Sequence, residues 1–277
     1  MHHTLSLGPV EVIIAECYPI PMKVLVAIPC YNCEKQISRV LAGFDETLLS
    51  QIEEVVCFDN GSKDQTPEAA LQAIRDYKLS KIKVVANNDN YGLGGSQKLA
   101  FSYARQNKMD YLVVLHGDNQ AVTSELKNFL EAARKKPELD AVLGSRFMPG
   151  SKREGYSTIR VLGNNFFNIL YGLFWFRYCW DMGSGLNIFK VSAVEEEDLE
   201  LFNNGFTFNM DLLLHLFSSS KKIKYLPITW MEHDQVSNAR NLSVGLQTLK
   251  ILFKWRFFPF LKKREISKRS FTELANL

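Results

Sequence analysis

Long apolar runs are missing from this 277-residue chain. A membrane-crossing helix needs roughly 18 or more apolar residues. The nearest approaches fall short: residues 166–176 are too few, and 244–261 are broken by Lys250, Lys254 and Arg256. A basic-then-apolar leader is also missing, since the chain opens Met1-His2-His3, and export is not expected. Cysteine is sparse and odd in number; five residues argue against a disulfide framework and for a reducing, cytoplasmic setting. No charge of one sign dominates. A net charge of +3 is too small to argue for nucleic acid as a partner, although residues 254–269 gather seven Lys or Arg against one acid, Glu265. Repeats and low-complexity tracts are absent.

What remains is an ordinary globular composition, 46% hydrophobic and 23% charged, long enough for one large α/β domain with an appendage. From Met22, short β-branched runs alternate with amphipathic segments. The patterning predicts strands at 23–28, 53–58, 81–86, 111–115 and 140–143. Helices are expected between them at 34–42, 67–77, 93–106 and 124–136, with Thr66 capping Pro67. Such spacing implies parallel βαβ units with right-handed crossovers, a Rossmann-like sheet flanked by helices. After Gly150 the expected order is helix 157–176, strand 186–189, helix 206–217, strand 222–226 and a long amphipathic helix at 242–257. The division that follows is an extension at 1–21, with a possible edge strand at 10–15, a main domain at 22–240 and a basic helix and tail at 241–277.

Ligands of parallel sheets sit at the carboxyl ends of the strands, so those ends carry the chemistry. The first ends in Ile28-Pro29-Cys30-Tyr31-Asn32-Cys33-Glu34, an aromatic ring beside a helix N-terminus where an anion or base can dock. The second ends in Asp59-Asn60-Gly61-Ser62, able to bond a base edge or ribose, or simply to turn. The third leads to Asn90-Tyr91-Gly92-Leu93-Gly94-Gly95-Ser96-Gln97-Lys98, either a backbone phosphate cradle or a packed connection. The fourth runs into His116-Gly117-Asp118-Asn119-Gln120. His116 and Asp118 point the same way, because strand periodicity is two, and Asp118 with Gln120 suits Mg2+ or Mn2+, or else caps a turn.

Taken together and in order, these segments resemble the nucleotide-binding motifs of family-2 glycosyltransferases, particularly the dolichyl-phosphate mannosyltransferase-like group. Gly144-Ser145-Arg146-Phe147, residues 181–186 and Pro227-Ile228-Thr229 extend the resemblance, which spans about 23–257. It implies a glycosyltransferase A-type fold and a metal-dependent, inverting transfer from a UDP- or GDP-sugar. Pro29, Tyr31, Glu34, Asp59, Asn60 and Lys98 would bind the nucleotide. Asp118, Gln120 and His116 would hold the metal, while Arg146 and Arg160 would take an acceptor phosphate. Asp211, ahead of Glu232, would serve as base toward a hydroxyl acceptor.

The chain departs from the family at Cys33, Asn60 and His116, each of which removes an acid beside a diphosphate. His116 can ligate a metal through a ring nitrogen, which favours Mn2+ over Mg2+, or donate to a phosphate. Cys30 and Cys33 form a C-x-x-C whose expected role is packing rather than redox chemistry. His215 is expected to be packed and His233 solvated in a loop. The arginines, the aromatic stretch 166–176 and the basic helix at 242–257 favour a polyprenyl phosphate acceptor at the cytoplasmic face of a membrane. Two alternatives stand beside it: transfer to the hydroxyl of an oligosaccharide or polysaccharide, and a silent nucleotide-sugar-binding protein. A nucleotidyltransferase lacks its Gly-rich, Arg- and Lys-bearing loop here, and a dehydrogenase is excluded on similar grounds.

Overall fold

The computed structural model describes residues 22–234, 241–258 and 267–274; the expected edge strand at 10–15 lies outside them. The alternation seen in the sequence is realised as β1 (Val24–Cys30), α1 (Glu34–Ala42), β2 (Glu54–Asp59), α3 (Thr66–Asp76), β3 (Ile82–Asn87), α4 (Gly92–Gln106), β4 (Tyr111–Leu115), α5 (Leu126–Lys135) and β5 (Ala141–Ser145), with a one-turn α2 (Glu46–Leu49) after α1. Then come β6 (Lys152–Glu154), α6 (Thr158–Trp175), β7 (Leu186–Lys190), α7 (Glu196–Leu199), α8 (Phe208–Ser218), β8 (Ile223–Pro227), β9 (Thr229–Met231), α9 (Asn241–Phe257) and β10 (Phe271–Leu274).

The main sheet runs β10-β3-β2-β1-β4-β7-β5-β8. β3, β2, β1 and β4 run parallel, with Cys30 opposite Asp59 and Asp59 opposite Ala86, so the first three strand ends lie level. β7 is inserted antiparallel between β4 and β5, pairing Leu115 with Leu186. That reversal brings residues 181–185 to the edge where β4 and β5 finish. β6 and β9 form a separate parallel pair.

β1 is buried along its whole length, and period-two alternation sends its side chains to both faces. Val24, Val26 and Ile28 meet α1, α3 and α5, while Leu25 and Ala27 meet α4 and α8. Burying each such side chain contributes about 1.5–3 kcal/mol relative to exposure. The helix set apart in sequence does not stand alone: Leu252 and Trp255 of α9 lie in the second cluster, and β10 closes the sheet edge against β3. Thr66 does not cap α3 either. Its hydroxyl turns inward to accept the Cys33 N–H at 2.8 Å and donates to Asp64, which also accepts the Thr66 N–H.

Candidate active site

The first two strand-end loops are stitched together. Ser62 Oγ accepts the Asn32 N–H at 2.9 Å, Asp64 accepts that of Glu34, and Glu34 accepts that of Gln65. The start of α1 is therefore met by side chains of the neighbouring loop, and the Glu34, Gln36 and Ile37 N–H groups are already bonded. Two groups remain turned outward or unmatched. Tyr31 is 41% exposed at the loop tip. Asp59 uses Oδ2 on the Gly61 and Ser62 N–H groups, while its Oδ1 is buried without a partner. A buried acceptor in that condition costs stability until a donor meets it. Pro29 lies in β1 two residues before Tyr31, opposite Phe58, its carbonyl accepting the Gly117 N–H at 3.1 Å.

Gly117 fixes the fourth strand end against the first. A Cβ there would lie 2.8 Å from Cys30 Sγ and 3.2 Å from Cys33 Sγ, so only glycine lets the two loops close. The thiols of Cys30, Cys33 and Cys57 make one buried cluster; contact with the other two, ahead of burial, pushes the Cys30 thiol well up. A raised thiol is a poor nucleophile, which agrees with packing as the role of the C-x-x-C.

On either side of Gly117 sit His116 and Asp118. Burial holds the His116 imidazole below its ordinary pKa, Asp118 opposing and Arg146 reinforcing the shift, and its Nε2 is buried without a partner. Burial likewise raises the Asp118 carboxyl, against His116 and the Gln120 N–H at 3.2 Å. The Gln120 carbonyl accepts the Met231 N–H at 2.8 Å, and Ala121 bridges Trp230, so β9 is clipped onto this loop. Among the described residues no three His, Cys, Asp or Glu side chains are arranged to hold a metal by themselves.

Arg146, at the end of β5, is gripped by Asp181 through Nε and Nη2, both at 2.8 Å, and by the Gly183 carbonyl. Burial works against its charge, and the Asp181 carboxylate more than restores it. The Trp230 ring lies 5.0 Å from the guanidinium. The same ring and the His116 imidazole both stand 3.2 Å from where a Cβ on Gly185 would be. Arg160, at the start of α6, lies over the Tyr156 ring at 4.3 Å and pairs with Glu232. Glu232 accepts the Trp230 indole N–H at 3.3 Å.

Several expected site residues are committed elsewhere. Lys98 is buried on the inner side of α4, donating to the Phe202 carbonyl at 2.8 Å beside Glu200, because that helix face meets protein. Asn60 bonds Asn90, Asn87 and the Tyr91 N–H, which ties β2 to β3. The Gly94 and Gly95 N–H groups both go to the Asn204 carbonyl, so the glycine-rich segment packs rather than cradles. Asp211 accepts the Asn203 N–H at 2.8 Å and the Trp255 indole N–H at 2.7 Å; burial raises its carboxyl and the indole counters. That arrangement suits packing, not a proton acceptor. His215 packs between Phe202 and Trp255, and His233 is exposed.

The family model for Glycosyl transferase family 2 matches residues 25–197, more than half of the chain. The chain belongs to glycosyl transferase family 2. Among the relatives of this family 2 chain is the "Dolichol-phosphate mannosyltransferase" of Pyrococcus furiosus, 29% identical over 141 residues, which are 51% of the chain and 38% of the archaeal protein. The "Dolichyl-phosphate beta-glucosyltransferase" proteins of Saccharomyces cerevisiae and Homo sapiens are 23% and 26% identical, matching 76% and 75% of the chain and 67% of each relative. The chain thus spans about two fifths of the archaeal protein. A crystal structure of glucosyl-3-phosphoglycerate synthase from Mycobacterium tuberculosis, in complex with Mn2+, UDP and glucosyl-3-phosphoglycerate, aligns with a TM-score of 0.64 at 14% identity, covering 85% and 80% of the two chains. The fold is the glycosyltransferase A-type arrangement.

Sequence reasoning gave no role to Asp181, Trp230 or Tyr156 and ranked Glu232 below Asp211. One signal was available: an arginine at the end of a buried strand needs a carboxylate, and Asp181 stood in a segment already singled out.

Proposed function

We propose that this protein transfers a sugar from a nucleoside-diphosphate donor to a lipid monophosphate at a membrane surface, with inversion at the anomeric carbon. The observation that carries the reading is the set of unmet groups along one sheet edge: Asp59 Oδ1, the ring of Tyr31 and His116 Nε2 beside Asp118. Asp59 Oδ1 fits a donor such as a base or ribose N–H or O–H, and Tyr31 offers a face for the base to lie against.

A divalent metal fits at Asp118. The carboxylate is raised by burial, a cost that a bound cation relieves, and the neutral imidazole of His116 presents a lone pair, which suits Mn2+ better than Mg2+. Asp118 and His116 would hold the ion together with the donor's diphosphate. The metal would supply Lewis acidity, neutralising charge on the departing nucleoside diphosphate. The structure of the mycobacterial enzyme with Mn2+ and UDP supports the same assignment by likeness.

On the acceptor side, Arg160 is the cation a phosphate would engage, and Arg146, held by Asp181, contributes field behind it. The phosphate oxygen attacks the anomeric carbon as the bond to the diphosphate breaks. A phosphomonoester has a second pKa of about 6, so its oxygen is nucleophilic near neutrality without a protein base. Both Asp211 oxygens are already bonded, which weakens the rival reading of a hydroxyl acceptor deprotonated there. A membrane approach is supported by α6. Ile159, Leu162, Phe166, Ile169 and Leu173 follow one another at intervals of three and four residues, each at least 60% exposed, on a helix without an acidic residue that starts beside Arg160, and the exposed Phe176 caps its end. Among the described residues no helix is long and apolar enough to cross a membrane.

Screening UDP- and GDP-sugars with Mn2+ tests the donor. Asp118→Ala is expected to lower transfer at least ~100-fold, on the scale of losing a main electrostatic stabiliser. Retention of most activity would remove the metal assignment.

A further inference from the structure

Glu232 has no part in the transfer described above, yet it lies among the groups that perform it. β9 carries it to the site, clipped to the metal loop by the Met231–Gln120 and Ala121–Trp230 contacts. Its backbone is fixed as well, since the Glu232 N–H donates to the Glu154 carbonyl at 2.9 Å. One carboxylate oxygen holds the Trp230 indole N–H and the other neutralises Arg160. Glu232 and Arg160 are both largely sheltered, with side chains 16% and 27% exposed. Its negative charge is felt at Asp118 and at Arg146.

Arg146 is held by two bonds to Asp181 and one to the Gly183 carbonyl, whereas Arg160 meets a single carboxylate oxygen of Glu232, the more readily exchanged of the two partnerships. We infer that Glu232 sets how tightly the acceptor is held: it occupies the place of the acceptor's phosphate on Arg160, and a phosphate must displace it to bind there. The inference rests on the reading of Arg160 as the acceptor-phosphate contact. A phosphate offers the guanidinium paired oxygens in the planar geometry it prefers, and so competes with a single carboxylate oxygen. A neutral hydroxyl offers no anion and leaves the Arg160–Glu232 pair in place. Once displaced, Glu232 keeps its bond to Trp230 and stands as a like charge near the phosphate, which weakens the phosphate's hold. Glu232 thereby keeps a phosphate acceptor from binding too tightly.

The test uses geranyl phosphate and geraniol as probes, titrated calorimetrically into the full chain with UDP and Mn2+ present. Glu232→Gln keeps the size and the indole contact but removes the competing charge. It is expected to tighten geranyl phosphate binding about tenfold, the size of one close charge contact, and to leave geraniol unchanged. Arg160→Gln should weaken geranyl phosphate by a similar factor, and adding E232Q to it should then change nothing further. Unchanged or weaker phosphate binding in E232Q, with Arg160→Gln still harmful, overturns the role of Glu232 and leaves the acceptor reading standing. An Arg160→Gln protein that binds geranyl phosphate normally sinks that reading, and the inference with it. If E232Q folds poorly, as judged by its melting temperature and UDP–Mn2+ binding, Glu232→Ala must shift geranyl phosphate in the same direction or the inference fails.

Discussion

Asp211 illustrates how a side chain's partners decide its work. A carboxylate that accepts both a backbone N–H and an indole N–H in a buried position is an anchor between α8, the 203 loop and α9. Asp211→Asn is expected to change turnover by no more than a few-fold while lowering unfolding free energy by about 1–3 kcal/mol, because an amide cannot accept both bonds equally well. A general base at this position would instead cost about 100- to 10,000-fold in rate on removal. Comparing turnover with a urea midpoint on the same variant separates the two. The residue types at the strand ends were legible in the sequence because strand ends of a parallel sheet are where polar groups gather. What each one bonds was not. Lys98 and Asn60 look like ligand contacts in one dimension, but Phe202 and Glu200, which hold Lys98, lie more than a hundred residues away along the chain.

At the level of elements, the apolar periodicity placed the first five strands and four helices within one or two residues, since each buries a face of the expected period. The antiparallel insertion of β7 carries no local signal, because a buried strand reads alike in either direction. β10 was hidden for a different reason. Phe271-Thr272-Glu273-Leu274 is short and follows a basic stretch, and only its pairing with β3 makes it a strand. Its approach is secured by Arg269, which pairs with Glu200 beside Lys98, and by mutual bonds between Ser270 and Tyr91. Burial would raise the Glu200 carboxyl, but Arg269 and Lys98 outweigh it and hold it low. Arg269→Ala should therefore destabilise the protein by about 3–5 kcal/mol, the usual result of stripping one partner from a buried pair, read as a lowered urea midpoint.

For the whole molecule, the exposed stripe of α6 adjoins the end of α9, where Phe174 meets Phe253 and Phe253 stacks on Phe257. An apolar surface of this kind, edged by Arg and Lys and free of acids along α6, suits an anionic bilayer. The protein is expected to sediment with phosphatidylglycerol-containing vesicles at low salt. The double substitution Phe166→Glu and Ile169→Glu should abolish most of that sedimentation without lowering UDP–Mn2+ binding. Sedimentation equal to that of the unaltered chain would exclude this face as the one that meets lipid. The aromatic content of 166–176 was plain in the sequence, but which half of the helix faces inward was not, because Tyr171 and Asn168 are buried among residues that are themselves apolar.

Gly117 has a bearing on how the cleft can breathe. With a bare backbone wedged on the sulfurs of Cys30 and Cys33, the ends of β1 and β4 form a single slab. The opposite bank is tied to the same slab, because β9, paired with β6, is bonded to the loop after β4 through Met231 and Gln120. The same strand brings Trp230 and Glu232 to the site, so a donor entering this cleft meets walls already set at their spacing.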